Sequence, residues 1–362
     1  SSDAMKSVRR LMRFAMPALA LLLAAQGTWA QCVWNSGDKD KKIPAYEEKV
    51  VPMDMGKVMI PHDLAVGQRI TFRDFPIPQS ANNKPWNCLP HGGTVEGVIL
   101  NVKDAVTNIG LSKVFATEVE GVGIRLSRVI NDGSGGGAFE ETQYPHTRST
   151  DTDFGDFIAA SRFRVELFKT KPVTGNGPIG PKGATYTQYY SVFGPKKSVL
   201  TTGLFGEGIT IITPSCTVDL GSKNILVNFG KVPQSNFKGK GTPTGDRKFN
   251  IKLNCKAGHE SQPNTILLRM DATPDLSTNE KGVLKLSQAG PSVATGVGIQ
   301  VVSDKSGRPV NFNTGVLDEM EQVGPSITGS YVLPYTARYF QTGDKIKPGR
   351  ADGTATFTIE YK

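Results

Sequence analysis

Thr354-Ala355-Thr356-Phe357-Thr358-Ile359-Glu360-Tyr361 alternates without a slip: Ala355, Phe357, Ile359 and Tyr361 share one face, Thr354, Thr356, Thr358 and Glu360 the other. Successive side chains of an extended strand point to opposite sides of its sheet, so one face of this stretch is suited to a core. Only Lys362 follows, which makes the stretch a working member of a sheet rather than a frayed tail. The style recurs upstream. Residues 224–229, 249–254, 265–271, 297–302 and 331–339 are strand candidates in the second half, and 69–72, 94–101, 123–130, 163–169 and 186–193 in the first. In RFRVELFK (162–169), Phe163, Val165 and Leu167 oppose Arg162, Arg164 and Glu166, and only Phe168 steps onto the polar face. NDGSGGG (131–137), TGNGPIGPKG (174–183) and the polar run 140–153 read as loops. Short strands at turn-rich spacing, with little helical periodicity, predict an all-β chain built of β-sandwich domains.

The chain has 362 residues, enough for two ordinary domains, and 38% hydrophobic with 21% charged residues describes a folded rather than a disordered protein. Residues 5–30 combine a basic end (Lys6, Arg9, Arg10, Arg13), an apolar run and small residues at Thr28 and Ala30, the pattern of a secretory signal peptide. The apolar run, 14–25, is shorter than the roughly 20 residues of a membrane span. Ser1 to Ala4 precede the apparent start, Met5. Cleavage after Ala30 lowers the formal charge from +9 by three, and no long basic run remains, which argues against nucleic acid as a partner. Export permits disulfides. Four cysteines allow three pairings, of which the local one, Cys32–Cys88 and Cys216–Cys255, is simplest and gives each half one staple. A glycine-rich break, GLFGEG (203–208), then divides the chain into a first domain, 31–205, a linker, 206–212, and a second domain, 213–362.

Little here suits catalysis. There is no GxSxG, HExxH or P-loop, no CxxC spacing, and no histidine placed with a cysteine pair as a metal ligand set, so neither metal nor cofactor is expected. Binding is a better use of the first domain. Arg125 and Arg128 interrupt the apolar run GIRLSRVI and fall on opposite faces of a regular strand; each either pairs internally or reaches a ligand. Tyr144, His146, Arg148, Asp151 and Asp153 gather ring, cation and acids in one polar segment, a mix suited to sugar or peptide recognition, although a solvated loop has the same composition. Trp86 lies beside Cys88, where it either meets a ligand or covers the core.

Four segments, in order, carry a family resemblance: Gln31-Cys32-Val33-Trp34, GVGIRLSR (121–128), IITPSC (211–216) and GVGIQ (296–300). With the signal peptide, the cysteine arrangement and the terminal strand ending in Tyr361, the chain resembles the two-domain tip adhesins of chaperone–usher fimbriae, and within them the type 3 fimbrial adhesins. The resemblance implies a lectin-like adhesin domain followed by a pilin domain, an immunoglobulin-like fold that lacks its last strand. Its partners would be a periplasmic pilus chaperone, an outer-membrane usher and an adjacent pilin subunit that donates a strand. Ala355, Phe357, Ile359, Tyr361 and Lys362 would form the chaperone and donor-strand interface. With one residue before Cys32 after cleavage, the subunit would accept a strand and have none to give, which puts it at the fibre tip on the cell surface. Its ligand would be a host matrix protein such as collagen, with a glycan as alternative; a non-binding adaptor pilin would use the first domain only as a spacer.

Overall fold

The structure is a computed structural model and describes residues 32–88, 92–131, 139–150, 154–155, 158, 161–192 and 196–362. Asp151, Asp153 and the signal segment 1–30 lie outside the described residues. Two hydrophobic cores form, one drawing on Cys32 through Ile211 and the other on Ile212 through Tyr361.

The first core lies between two five-stranded sheets. One runs in the order His146–Thr150, Gly93–Ile99, Thr185–Ser191, Leu200–Gly203, Lys49–Pro52, the last pair parallel. The other runs Arg69–Pro76, Arg162–Lys169, Val122–Asn131, Phe115–Ala116, with Glu140–Gln143 also paired to Val122–Asn131. Phe163, Val165 and Leu167 are fully buried, as their alternation requires. Phe168 stands out of step where the register with Arg69–Pro76 shifts, and Arg125 covers it at 4.9 Å.

Some expectations need correction, among them the loop 174–183, within which Gly177–Pro178 forms a short strand. The run 140–153 is not one loop. Glu140–Gln143 pairs in one sheet and His146–Thr150 in the other, so the chain changes sheets at Tyr144–Pro145. Polar composition concealed strands that lie at sheet margins, where one side of each residue stays wet. Nor is 206–212 a free linker, because Ile209–Ile212 pairs in parallel with Gly56–Met59 and antiparallel with Gly177–Pro178. Thr213 to Ser215 make the crossing.

The second core is a sandwich. Cys216–Val218, Pro243–Cys255, Gly329–Gln341, Val297–Ser303 and Val283–Leu284 form one sheet; Glu321–Pro325, Thr265–Asp271 and Thr356–Tyr361 form the other. Disulfides join Cys32 to Cys88 and Cys216 to Cys255.

A polar clasp joins the domains. The Gln262 side chain accepts from the Glu120 N–H at 2.8 Å and donates to the Glu118 carbonyl at 2.6 Å, while its own carbonyl accepts from Asn176 at 3.0 Å. Asn264 donates to Asn176 Oδ1 at 2.9 Å, and Lys57 Nζ donates to the Tyr361 carbonyl at 3.0 Å. A Cβ on Gly175 would lie 2.0 Å from Gln262 Oε1, so the close approach needs glycine there.

Candidate functional site

The sheet containing Thr356–Tyr361 ends on that strand: it pairs with Thr265–Asp271 on one side and with no strand among the described residues on the other. An unpaired edge leaves a row of backbone N–H and C=O groups open to pairing with another chain. Opposite it lies 224–229, whose alternation predicts a strand. The side chains do alternate, with Ile225, Val227 and Phe229 turned toward the core and Leu226 92% exposed, but the segment joins no sheet. An alternating segment becomes a strand only when a neighbour takes up its hydrogen bonds, and here that neighbour's place is open.

Between these two walls is a cavity of about 810 Å³, floored by Ile251, Leu284, Ile299 and Ala337 and rimmed by Ile225 and Phe357. It continues past Ala351 into a depression of about 370 Å³ lined by Val232, Phe237, Val297 and Tyr339, where burial pushes the Tyr339 hydroxyl above its ordinary range. Floor residues of an immunoglobulin-like core are thus reachable from outside. A strand laid into the groove would find backbone partners along Thr356–Tyr361 and apolar floor for every second side chain.

The residues expected at this interface divide by depth. Ala355 is exposed and lines the groove, Phe357 and Ile359 are half-buried against the core, and Tyr361 is buried. The Tyr361 hydroxyl accepts from the N–H groups of Ser215 and Cys216 at 3.2 and 3.0 Å, so it ties the last strand to the first at the end of the groove nearest the first domain. Lys362 continues the pairing through backbone bonds to Thr265 and sets its ammonium against Asp318.

Residues 51–207 match the model of the MrkD-like receptor binding domain, and 208–362 match that of the fimbrial proteins. A fimbria adhesin protein of Klebsiella pneumoniae is 31% identical over 94% of this chain and 97% of its own length. The chain belongs to the two-domain chaperone–usher fimbrial adhesins. A type-1 fimbrial protein subunit of Serratia marcescens is 31% identical over 41% of this adhesin and 80% of its own length. The crystal structure of the receptor binding domain of the plasmid-born adhesin MrkD1P of Klebsiella pneumoniae is 26% identical, covers 52% of this adhesin and 99% of that chain, and has a TM-score of 0.37. Like its family, this adhesin takes its missing strand by donor-strand complementation.

The residues expected to bind ligand in the first domain do not converge. Trp86 and Tyr144 are 1% and 0% exposed and belong to the core, in T-shaped contact with Tyr189 and His146 respectively. Arg125 is held by Glu166 at 3.0 Å with 12% of its side chain exposed; Arg128 is 7% exposed and shares a face with Ile124 and Leu126. The opposite-face expectation is met: Arg128 lies on the core face, and Arg125 lies on the outer face, where Glu166 holds it. His146 is half-buried over Gly97, where a Cβ would lie 2.3 Å from its Nε2, and Arg148 is exposed on the strand His146–Thr150 at the sheet edge. Among the described residues no group of three or more His, Cys, Asp or Glu could hold a metal ion, and no helix is long and apolar enough to cross a membrane.

The clasp residues Gln262, Asn264 and Asn176 had no signal in the sequence. Isolated amides look like loop polarity until the fold apposes them. The second groove wall was legible as alternation; its lack of a partner was not.

Proposed function

We propose that this adhesin caps a fimbria and attaches the bacterium to a collagen-like matrix protein through its first domain. The observation that supports the tip position is the asymmetry of the second domain. Its groove accepts a strand, whereas the segment leading into Cys216–Val218, which a rod subunit would leave free to donate, is drawn into the first domain as the strand Ile209–Ile212. A periplasmic chaperone would fill the groove first, an outer-membrane usher would bring the adjacent pilin, and that subunit's donor strand would replace the chaperone. The basic, apolar segment 5–30 would direct export. Ligand contact is assigned to the edge strand with His146 and exposed Arg148, together with Asp151 and Asp153, which follow it in the sequence. Tyr144 and, through Tyr189, Trp86 support His146 from within.

An array of matrix proteins and glycans probed with the chaperone-bound chain tests this. Selective collagen binding weakened by Arg148→Ala supports it. Binding that a simple sugar inhibits moves the assignment to a fimbrial lectin, and a folded protein that binds nothing makes the first domain a spacer.

A further inference from the structure

The outer face of the sheet Arg69–Pro76, Arg162–Lys169, Val122–Asn131 carries a feature that assembly does not use. Guanidinium groups and rings alternate across it. Arg69 lies 4.1 Å from the Phe72 centroid, and Arg164 lies 4.7 Å from Phe72 and 5.6 Å from Phe139. Carboxylates form the base: Asp74 takes two bonds from Arg164, at 2.7 and 3.0 Å, and Glu166 takes bonds from Arg125 and Arg69 at 3.0 and 3.1 Å. Asp74 and Glu166 are 18% and 4% exposed, whereas Arg69 and Arg162 are 40% and 38% exposed. Acids therefore lie below and cations above. Glu141 borders the stack near Arg164.

The two ends differ. At the Arg125 end, guanidinium, ring and carboxylate are closed over: Arg125 is 12% and Phe168 4% exposed. At the other end Phe72 remains 43% exposed beside Arg69, and Phe139 51% exposed beside Arg164. The open end presents apolar ring surface between guanidinium forks, and such forks match a carboxylate in a two-pronged pair, as Arg164 shows with Asp74. Arg69 and Phe72 stand on the edge strand Arg69–Pro76, but their side chains, like Phe139 against Arg164, rise from the outer face of the sheet rather than along the backbone groups of that edge. Recognition there falls to stacking and to charge.

We propose that the open end of this stack binds a uronic-acid polysaccharide, whose sugar rings pack on Phe72 and Phe139 while its carboxylates meet Arg69 and Arg162. The site depends on the first domain being the receptor-binding half and is separate from the collagen assignment. The chaperone-bound full chain is tested against immobilised polygalacturonate, dextran sulfate and dextran at low and high salt. Polygalacturonate binding that weakens with salt is expected, with a loss of about tenfold in Phe72→Ala and in Arg69→Gln. Lys182→Gln, which removes an exposed charge elsewhere on the domain, controls for general charge. Collagen binding is measured in parallel and is expected to be unchanged in the two strip variants. Equal binding to dextran, a preference for dextran sulfate, or full polygalacturonate affinity in Arg69→Gln and Phe72→Ala with wild-type melting overturns the proposal. If Phe72→Ala melts early, Arg69→Gln alone decides, because its side chain is already 40% exposed.

Discussion

Tyr361 shows how much one side chain can carry. Its ring belongs to the second core, its hydroxyl serves two backbone N–H groups beside Cys216, and its carbonyl takes Lys57 from the first domain. Tyr361→Phe keeps the ring and strands both N–H groups. The donor-complemented protein is expected to lose about 1–3 kcal/mol, read as an earlier denaturant midpoint with an unchanged slope. Arg125 makes a different case. Removing it leaves Glu166 buried with Arg69 as its remaining partner, so Arg125→Ala should destabilise the first domain by about 3 kcal/mol, the low end for breaking a buried pair. Ligand binding measured well below the melting transition should stay near wild type; a loss of binding at full stability would return Arg125 to the ligand surface.

Among the elements, the strand Thr356–Tyr361 and the segment 224–229 act as a pair of jaws. Both alternate, both half-bury their apolar faces, and the strand between them is missing. Phe357→Asp puts a charge where an incoming strand must pack, and a buried charge without a partner is costly. Capture by a chaperone, and with it surface display, should disappear, while the first domain keeps its disulfide and its fold. Hydrogen exchange gives the complementary reading. Amides of 224–229 should exchange freely in the open chain and become protected when a donor peptide fills the groove; protection without the peptide would mean that the jaw is already paired.

For the molecule as a whole, the clasp decides how the domains stand. Gln262 bonds to Glu118, Glu120 and Asn176 at once, so the joint resists bending where three bonds must break together. Gln262→Ala should broaden the distribution of interdomain distances in solution scattering relative to the wild type, with each domain's own melting little changed; an identical distribution would show that Thr213 to Ser215 alone set the angle. Residues 213–362 expressed without chaperone or donor peptide should aggregate, because the groove exposes core. A monomeric, cooperatively folding fragment would contradict the open-groove reading.

Strand alternation is local, and local periodicity was enough to read an all-β chain, the faces of Thr356–Tyr361 and Arg162–Lys169, and the alternation of 224–229. Margins were harder: Glu140–Gln143 and His146–Thr150 looked like loop because an edge strand needs little apolar residue, and Ile209–Ile212 looked like linker because a glycine-rich stretch leads into it. What a side chain does with its polar atoms depends on what stands opposite, and residues far apart in the chain supply that. Only the tertiary structure could set Arg125 against Glu166, place Tyr144 in the core, set Gln262 against Glu118, and leave one strand's place open beside Phe357. Each is a pairing across many residues of chain, decided by packing rather than by local pattern.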